Sequence, residues 1–196
     1  MDSNFFALIS RMRYIARWGL MRNALPENIQ EHSHMVAVLA HALGVIRRDI
    51  FHQPCDVNAL ATAALYHDAS EILTGDLPTP IKYHNAEIMS AYHAVEDLAV
   101  QKLLGMLPPE LRETYADVLA EDKDGDIYPL VKAADKLSAY IKGIEERKAG
   151  NNEFLSAEAQ TRAALEASSL PEVQYFLEHF APAFERDLDE LGAIGQ

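Results

Sequence analysis

Apolar residues recur at helical spacing along nearly the whole chain, and this periodicity restricts the fold more than any other feature. In the first segment the stripe of one helix face is formed by Phe5, Leu8, Ile9, Met12 and Ile15. No segment alternates between apolar and polar residues for long enough to indicate a strand, and the sequence holds no repeat or low-complexity tract. We therefore predict an all-α fold, a compact single-domain helical bundle that spans residues 1–196.

The same periodicity places the remaining helices along the chain. We predict them over residues 31–48, 57–72, 85–106, 110–120, 128–149, 153–168 and 171–190. Asn28 and Glu31 form a loose capping box before the second helix, and Pro171 occupies a favoured first-turn position. The 57–72 segment is rich in alanine and almost wholly apolar, which indicates a buried central helix.

The charge of the chain excludes several classes of partner. Its 196 residues include 30 acidic and 17 basic ones, so the formal net charge is −13. Polymeric nucleic acid repels such a chain unless its basic residues form one patch. The apolar runs fall far short of the ~20 residues that cross a bilayer, so we expect no membrane partner. The single cysteine, Cys55, cannot form an internal disulfide, which makes a reducing cytoplasm the expected location.

The first 26 residues carry a net positive charge, opposite in sign to the net charge of the whole chain. Four arginines, including Arg17 and Arg22, precede Glu27, and Asp2 is the only acid before it. An organellar transit peptide has a similar composition. We favour a folded helix that concentrates positive charge on an acidic protein.

Three places put metal-ligand residue types where a packed helix normally has apolar side chains. His32 shares the buried face of the 31–48 helix, and Asp135 lies at the edge of the apolar stripe of 128–149. The pair His67-Asp68 lies near the end of the central helix. Neighbouring helical residues point about 100° apart, so one cation can bind both only where the helix end opens onto a cleft.

A buried and unpaired carboxylate is costly, so Asp68 and Asp135 require a cation or a proton. Two histidines and two aspartates that converge would make a mixed nitrogen and oxygen site for one divalent transition metal. This ligand set suits Mn, Co, Fe, Ni or Zn better than Ca or Mg. Because no thiolate is among the ligands and space for water remains, the site is typical of catalysis rather than of structural stabilisation.

The ordered set of His, His-Asp and Asp on separate helices resembles the HD-domain phosphohydrolase superfamily. Further motifs are similar to the bacterial 5′-deoxynucleotidases of the YfbR type, and the similarity covers nearly the whole chain, with a motif-bearing core at about 17–154. These motifs are Arg17-Trp18, Glu31-His32-Ser33, Tyr66-His67-Asp68-Ala69-Ser70-Glu71, the run from Thr74 to Tyr83, Val131-Lys132-Ala133-Ala134-Asp135 and Ala149-Gly150-Asn151-Asn152-Glu153-Phe154.

The resemblance implies a metal-dependent hydrolysis of deoxyribonucleoside 5′-monophosphates to deoxynucleosides and phosphate. It implies one divalent transition metal, cobalt, manganese or a similar ion, held by four residues: His32, His67, Asp68 and Asp135. Among these ligands His32, Asp68 and Asp135 would also contact the substrate. The family further implies a homodimer.

The resemblance also assigns roles to the remaining motif residues. Arg17 would hold the phosphate with its planar guanidinium, and Glu71 would take a proton from water or give one to the departing 5′ oxygen. Trp18 would pack on the sugar and leave no room for a 2′-hydroxyl. The substrate would also be bordered by a rigid turn formed by Asp76, Leu77, Pro78 and Thr79.

Two alternatives remain open at this stage. One is an HD-family hydrolase for another nucleotide, a deoxynucleoside triphosphate or a cyclic nucleotide. The other is a helical module whose metal site has no catalytic role. A second metal at His34 and His41, which lie one heptad apart, is conceivable, but the YfbR-type pattern has no histidine at position 34.

Overall fold

The computed structural model describes residues 2–82, 84–120 and 125–192, and it folds these ranges into α-helices joined by short turns. The α-helices α1 to α10 are, in chain order, Phe5–Ile9, Ile29–Val45, Val57–Tyr66, Glu71–Thr74, Thr79–Lys82, Ala86–Gly105, Pro109–Leu119, Tyr128–Lys148, Leu155–Glu166 and Pro171–His179. The described residues contain no β-strand, as predicted. None of their helices is long and apolar enough to cross a membrane.

The beginning of α2 confirms the predicted capping box. The side chain of Asn28 accepts hydrogen bonds from the backbone N–H groups of Gln30 and Glu31, and Glu31 accepts one from the backbone of Asn28. This cap fixes where the helix starts and therefore fixes the direction of His32 within it.

The predicted central helix over 57–72 is present but too long, because the chain leaves the α-helix after Tyr66. It is also buried on one face only, since Asn58, Thr62 and Leu65 are exposed. His67 to Ser70 form tight turns, in which the N–H of Ala69 donates to Tyr66 and the N–H of Glu71 donates to Asp68. The short helix α4 follows and ends at Gly75, whose φ of 76° suits the left-handed region that glycine tolerates. The break presents His67 and Asp68 at an open helix end.

The last predicted helix, over 171–190, is also too long. α10 ends at His179, and a 3-10 turn, Ala181–Glu185, follows it. The reason is Pro182, which lacks a backbone N–H and whose ring clashes with the preceding helical turn.

The core of the bundle lies where α2 packs against α3 and α8. Leu43, Leu60 and Leu137 meet there and are fully buried. A second apolar cluster forms around Phe5 and Leu103, and it covers Ala69 in the turn after α3. The first cluster includes Ala64 before the His67-Asp68 turn, and the second includes Ala69 after it. Packed helices therefore hold the turn in place.

The segment between α1 and α2 is a closed loop. The 3-10 turn Ser10–Tyr14 ends the first helical segment, and the N–H of Ile29 then donates to the carbonyl of Ile15. Next to this contact, the N–H of Arg17 donates to the carbonyl of Glu27 at 3.0 Å. Residues 16–28 therefore leave and re-enter the fold at the same point, as in a compact surface loop.

The interior of this loop is held by Glu146 on α8, which is 0% exposed. Its carboxylate accepts hydrogen bonds from the backbone N–H groups of Ala24 and Leu25 and from the side chains of Lys142 and Asn151. Burial alone would raise the pKa of Glu146, but these hydrogen bonds lower it to about 2. The buried pair of Glu146 and Lys142 thus connects the loop to the longest helix of the described residues, since Lys142 also donates to the carbonyl of Leu25.

We expect Glu146→Ala to lower the free energy of unfolding by about 3 kcal/mol at pH 7, since it leaves the buried Lys142 without its counter-charge. The pKa of Glu146 is lower in the folded chain than the unfolded value of ~4.3. The stabilisation is therefore fully present above pH ~4.3. It is lost as the pH falls toward about 2. Urea unfolding at pH 7 and pH 3 measures the difference. The control is Glu145→Ala on the exposed side of α8, and equal losses in both variants would contradict the prediction.

Candidate active site

His32 lies near the start of α2 and is 1% exposed, which confirms its predicted place on the buried face. Nδ1 of the ring lies 3.1 Å from the hydroxyl of Ser138 on α8. Nε2 faces the carboxylates of Asp135 at 3.1 Å and Asp68 at 3.5 Å. The contact with Ser138 fixes the ring so that Nε2 points at the acids.

His67 approaches the same point from the end of α3. Its Nδ1 donates a hydrogen bond to the carbonyl of Ala64 at 2.7 Å, which leaves the lone pair of Nε2 for a ligand. Nε2 lies 3.2 Å from Oδ2 of Asp68. The Nε2 atoms of both His32 and His67 are buried without a hydrogen-bond partner.

Charges in the site hold Asp68 and Asp135 in the ionised form. Burial opposes ionisation of Asp68, but His67, His32 and Arg17 outweigh it and keep the pKa of Asp68 well below its usual range. For Asp135, burial is again opposed, chiefly by the close contact with His32, and the pKa of Asp135 is lowered. Burial disfavours the imidazolium of His67, yet Asp68 raises the pKa of His67. The neighbouring acids therefore favour a proton on His67.

The donor atoms fit a divalent metal. One atom each from His32, His67 and Asp135 can be chosen so that all lie within 4.8 Å of one another. Oδ2 of Asp68 stands within 3.5 Å of both Nε2 atoms, although it also contacts Arg17. Two unpartnered imidazole nitrogens beside ionised carboxylates are the donors that first-row transition metals prefer. The four predicted ligands therefore meet in one place.

Arg17 lies beyond the end of the first helical segment, in the closed loop, and not within the helix as its sequence position indicated. Its Nη1 is 3.3 Å from Oδ2 of Asp68, and its Nε is 3.1 Å from Oε2 of Glu27. Burial disfavours the charged guanidinium, but four surrounding carboxylates raise the pKa of Arg17. The site thus holds a permanent positive charge beside the predicted metal ligands.

Trp18 and Asp76 contact each other next to Arg17. The backbone N–H of Trp18 donates to Oδ2 of Asp76 at 3.2 Å, and the indole N–H donates to Oε2 of Glu27 at 2.8 Å. The indole ring packs edge-on against Phe154, with ring centroids 5.2 Å apart. Burial raises the pKa of Asp76, and Arg17 and the N–H of Trp18 oppose this shift.

Leu77, Pro78 and Thr79 follow Asp76 directly. Leu77 and Pro78 are half-buried and Thr79 is exposed. The carbonyl of Pro78 accepts hydrogen bonds from the backbone N–H groups of Ile81 and Lys82, the last two residues of α5. The predicted rigid turn is therefore present, with a short helix after it. Tyr83, the last residue of this motif, lies outside the described residues.

Glu71 begins α4 and is 6% exposed. Its Oε2 is buried without a hydrogen-bond partner. Burial, together with the charges of Asp68 and Asp76, raises the pKa of Glu71 to about 10. A carboxyl group with an unpartnered oxygen near ionised acids is suited to proton transfer once a cation changes the balance of charge.

Sequence reasoning missed two residues that support the site, Glu27 and Ser138. Ser138 lies one turn beyond Asp135 along α8 and so faces the same partner helix. Glu27 could have been found as the first acid after the arginine-rich segment. By contrast, His34 and His41 are exposed, and neither belongs to the one cluster of three or more metal-ligand side chains that the described residues contain.

A cavity of about 190 Å³ lies behind the site, between the closed loop and α8. Glu27, Ser138, Ile141 and Lys142 contribute to its wall, but none of the predicted metal ligands does. The cavity therefore borders the residues that support the site and not the donor atoms themselves.

Comparison with known proteins supports the family that the sequence motifs indicated. The sequence profile of the YfbR-like 5′-deoxynucleotidase family matches residues 4–184. The 5′-deoxynucleotidase YfbR of Shigella boydii serotype 18 is 50% identical over 191 residues, which cover 97% of this chain and 96% of that protein. The 5′-deoxynucleotidase YfbR of Escherichia coli strain K12 / DH10B has the same identity and coverage.

Solved structures of HD-domain proteins share the fold. A phosphohydrolase from Listeria innocua superimposes with a TM-score of 0.82 at 25% identity, covering 94% of this chain and 90% of that chain. The cyanophage S-2L phosphohydrolase DatZ, solved with dA and one catalytic Zn²⁺ ion, has a TM-score of 0.61 at 25% identity, covering 92% and 96%. The predicted all-α HD-type bundle is thereby confirmed, and a divalent metal in such a site is supported.

The ligand set predicts that His67→Ala weakens binding of Co²⁺ or Zn²⁺ at least about 100-fold, because it removes a buried nitrogen donor. Titration calorimetry and the metal content after dialysis measure the loss. The matched control is His41→Ala, which removes an exposed histidine of α2 and should leave metal binding unchanged. Retention of one tightly held ion per chain in His67→Ala would show that the metal binds elsewhere.

The raised pKa of Glu71 predicts a pH-dependent stability in metal-free protein. In the folded chain Glu71 keeps a proton that it loses above pH ~4.3 in the unfolded chain. Glu71 therefore lowers the free energy of unfolding progressively as the pH rises from ~4.3 toward about 10. Glu71→Gln should therefore raise the free energy of unfolding at pH 8, and the gain should vanish near pH 4. Urea unfolding after chelation measures it, with Glu113→Gln at an exposed position of α7 as the control. A gain that does not depend on pH would contradict this explanation.

Proposed function

The chain belongs to the YfbR-like 5′-deoxynucleotidase family, and we propose that it hydrolyses deoxyribonucleoside 5′-monophosphates at the site formed by α2, α3, α4 and α8. The observation that carries the proposal is the meeting of His32, His67 and Asp135 with the guanidinium of Arg17. Donors for a dication and a fixed cation beside them are what a phosphate monoester requires.

Arg17 holds the phosphate in this proposal. Its planar guanidinium can donate two parallel hydrogen bonds to phosphate oxygens, which a lysine cannot reproduce. The 3.3 Å contact between Nη1 and Asp68 supports this role, since it places the donor edge of Arg17 beside the metal ligands. The phosphate of a bound substrate would then lie between Arg17 and the donor set.

The metal ligands proposed are His32, His67, Asp68 and Asp135, and three of them, His32, Asp68 and Asp135, also face the substrate phosphate. A divalent ion held there supplies Lewis-acid chemistry, because it lowers the pKa of a water and offsets phosphate charge. The second nitrogens of the histidines, bonded to Ser138 and Ala64, keep both rings oriented for this task.

Glu71 is the proposed proton-transfer residue. It lies in the first turn of α4, directly after the turn that carries His67 and Asp68. Its buried and unpartnered Oε2 has no structural hydrogen bond to give up when it exchanges a proton with water or with the departing 5′ oxygen. Substrate cleavage breaks the bond between phosphorus and the 5′ oxygen and adds one water.

The deoxyribose is placed between Trp18 and the segment from Asp76 to Thr79. The indole N–H is already bonded to Glu27, so the ring offers only apolar surface to the sugar. A 2′-hydroxyl against that surface would lose hydrogen bonds to water without gaining a partner. Asp76 remains the acceptor for the 3′-hydroxyl, with Leu77, Pro78 and Thr79 fixing its position.

Three finer assignments complete the proposal. The metal is cobalt, manganese or a similar transition ion, which the nitrogen and carboxylate donors support. The chain forms a homodimer, which the exposed apolar side chains of Val95 and Leu98 on α6 support. It acts in the cytoplasm on free nucleotides and not on polymeric nucleic acid. Sedimentation equilibrium and cell fractionation test the last two assignments.

The function predicts phosphate release from deoxyribonucleoside 5′-monophosphates. We expect EDTA to abolish release, Co²⁺ or Mn²⁺ to restore it, and ribonucleotides to react up to about 100-fold more slowly. A malachite-green assay measures phosphate from the monophosphates, and chromatography of the nucleoside and nucleotide products follows parallel triphosphate and cyclic nucleotide arms. Release from none of the monophosphates with any metal would refute the proposal, and faster conversion of triphosphates or cyclic nucleotides would favour the alternative hydrolase.

In the same assay Arg17→Ala should lower kcat/KM by about 100-fold or more, because a phosphate contact that strengthens in the transition state is lost. Arg22→Ala is the matched control, since its side chain lies in the same loop but is largely exposed. Equal effects of the two substitutions would indicate a general charge effect and not a specific contact.

A further inference from the structure

One carboxylate oxygen connects the two residues that the proposed function assigns to phosphate and sugar. Oε2 of Glu27 accepts a hydrogen bond from Nε of Arg17 at 3.1 Å and another from the indole N–H of Trp18 at 2.8 Å. The backbone carbonyl of Glu27 also accepts the N–H of Arg17. Glu27 contacts none of the predicted metal ligands in these hydrogen bonds and ion pairs, and it lies at the re-entry of the closed loop.

We propose that Glu27 is a positioning residue that sets Arg17 and Trp18 as one unit and thereby couples phosphate binding to discrimination against a 2′-hydroxyl. The inference rests on the proposed function, because it deepens the roles of these two side chains. Glu27 itself does not contact the substrate in this scheme.

The first part of the argument concerns Arg17. A free arginine side chain loses much rotamer freedom when it binds an anion. Here Nε is held by Glu27, and this leaves the guanidinium in a plane where Nη1 reaches Asp68 at 3.3 Å. The orientation of the phosphate-binding edge therefore exists before the substrate arrives, which lowers the cost of binding.

The second part concerns Trp18. Its φ of 60° lies in the left-handed region, which is unfavourable for a bulky side chain and persists only when the surroundings determine it. Asp76 holds its backbone N–H, Glu27 holds its indole N–H, and Phe154 packs against its ring. Because the indole has only one polar hydrogen, the bond to Glu27 determines which face and which edge the ring presents to a sugar.

The loop has other anchors, so removal of Glu27 is expected to leave it in place. Glu146 and Asn151 bind the backbone of Arg22, Ala24 and Leu25 independently of Glu27. A substitution at Glu27 should therefore change the side chains of Arg17 and Trp18 more than the fold.

Two substitutions separate the two functions of Glu27. Glu27→Gln keeps an oxygen acceptor for the indole N–H but removes the negative charge beside Arg17. Glu27→Ala removes both. The matched control is Glu145→Gln, which removes a charge from the wall of the same cavity without contacting either side chain.

The readouts are kinetic and spectroscopic. Steady-state assays give kcat and KM for a deoxyribonucleotide and for the corresponding ribonucleotide. Because Trp18 is the only tryptophan, intrinsic emission and its quenching by acrylamide report on this one ring. Circular dichroism confirms that each variant is folded.

We expect Glu27→Ala to raise KM about tenfold and to reduce the deoxy-to-ribo preference in kcat/KM about tenfold, since both orientations are lost. Its tryptophan emission should shift to the red and its quenching should increase. Glu27→Gln should raise KM but keep both the preference and the emission of the wild type. Glu145→Gln should change none of these values.

An active Glu27→Ala variant that retains the wild-type preference and tryptophan emission would overturn the inference. Equal losses of preference in Glu27→Gln and Glu27→Ala would overturn the division of roles. If the wild type releases no phosphate from any deoxyribonucleotide, the proposed function fails, while the emission of the two variants still decides whether Glu27 orients Trp18. If Glu27→Ala does not fold, Glu27→Asp replaces it, because its carboxylate is one methylene too short for the 2.8 Å bond to the indole. Glu27→Asp should then lose preference and shift the emission, and wild-type values of both in this variant would overturn the inference.

Discussion

The site depends on how the negative charges of Asp68 and Asp135 are balanced. Both carboxylates are half-buried next to the fully buried His32, where an unpaired charge is costly. The buried donors that face them are two imidazoles and one guanidinium, and the guanidinium alone carries its charge at every accessible pH. The two acids therefore favour binding of a cation. The positive charge of Arg17 allows an anionic substrate to bind beside them.

Helical periodicity was enough to predict the all-α fold, to place His32 on a buried helix face and to place Asp135 at the edge of one. It failed at the end of α3, because the apolar pattern continues through Ala69 and Ile72 while the backbone turns after Tyr66. The wrong prediction is confined to the segment that carries candidate site residues. The break in the helix is what brings both His67 and Asp68 close to His32. The break is formed by local backbone hydrogen bonds, from Ala69 to Tyr66 and from Glu71 to Asp68, and a pattern of apolar side chains does not show them.

The same limit explains why Glu27 and Glu146 were missed. Each is an acid in an ordinary polar stretch, and its importance comes from partners in other segments. Glu146 binds Ala24 and Leu25, which are more than a hundred residues away in sequence. A family resemblance pointed to Arg17 and Trp18 by their motif, but no sequence signal showed that one oxygen of Glu27 joins them. Contacts of this kind become visible only when the loop and α8 are placed together.

The net charge of −13 and the arginine-rich start of the chain have one physical explanation in this arrangement. An acidic protein repels long polyanions over its whole surface, whereas a small monophosphate responds mainly to the field inside the pocket it enters. There the closed loop places Arg17 beside the metal donors, and Glu27 fixes its direction without taking its Nη atoms. Local reversal of charge on a globally acidic surface thus favours a free nucleotide over a nucleic acid strand. If Arg17 holds the phosphate as proposed, the residues that orient Arg17 contribute to substrate choice as well.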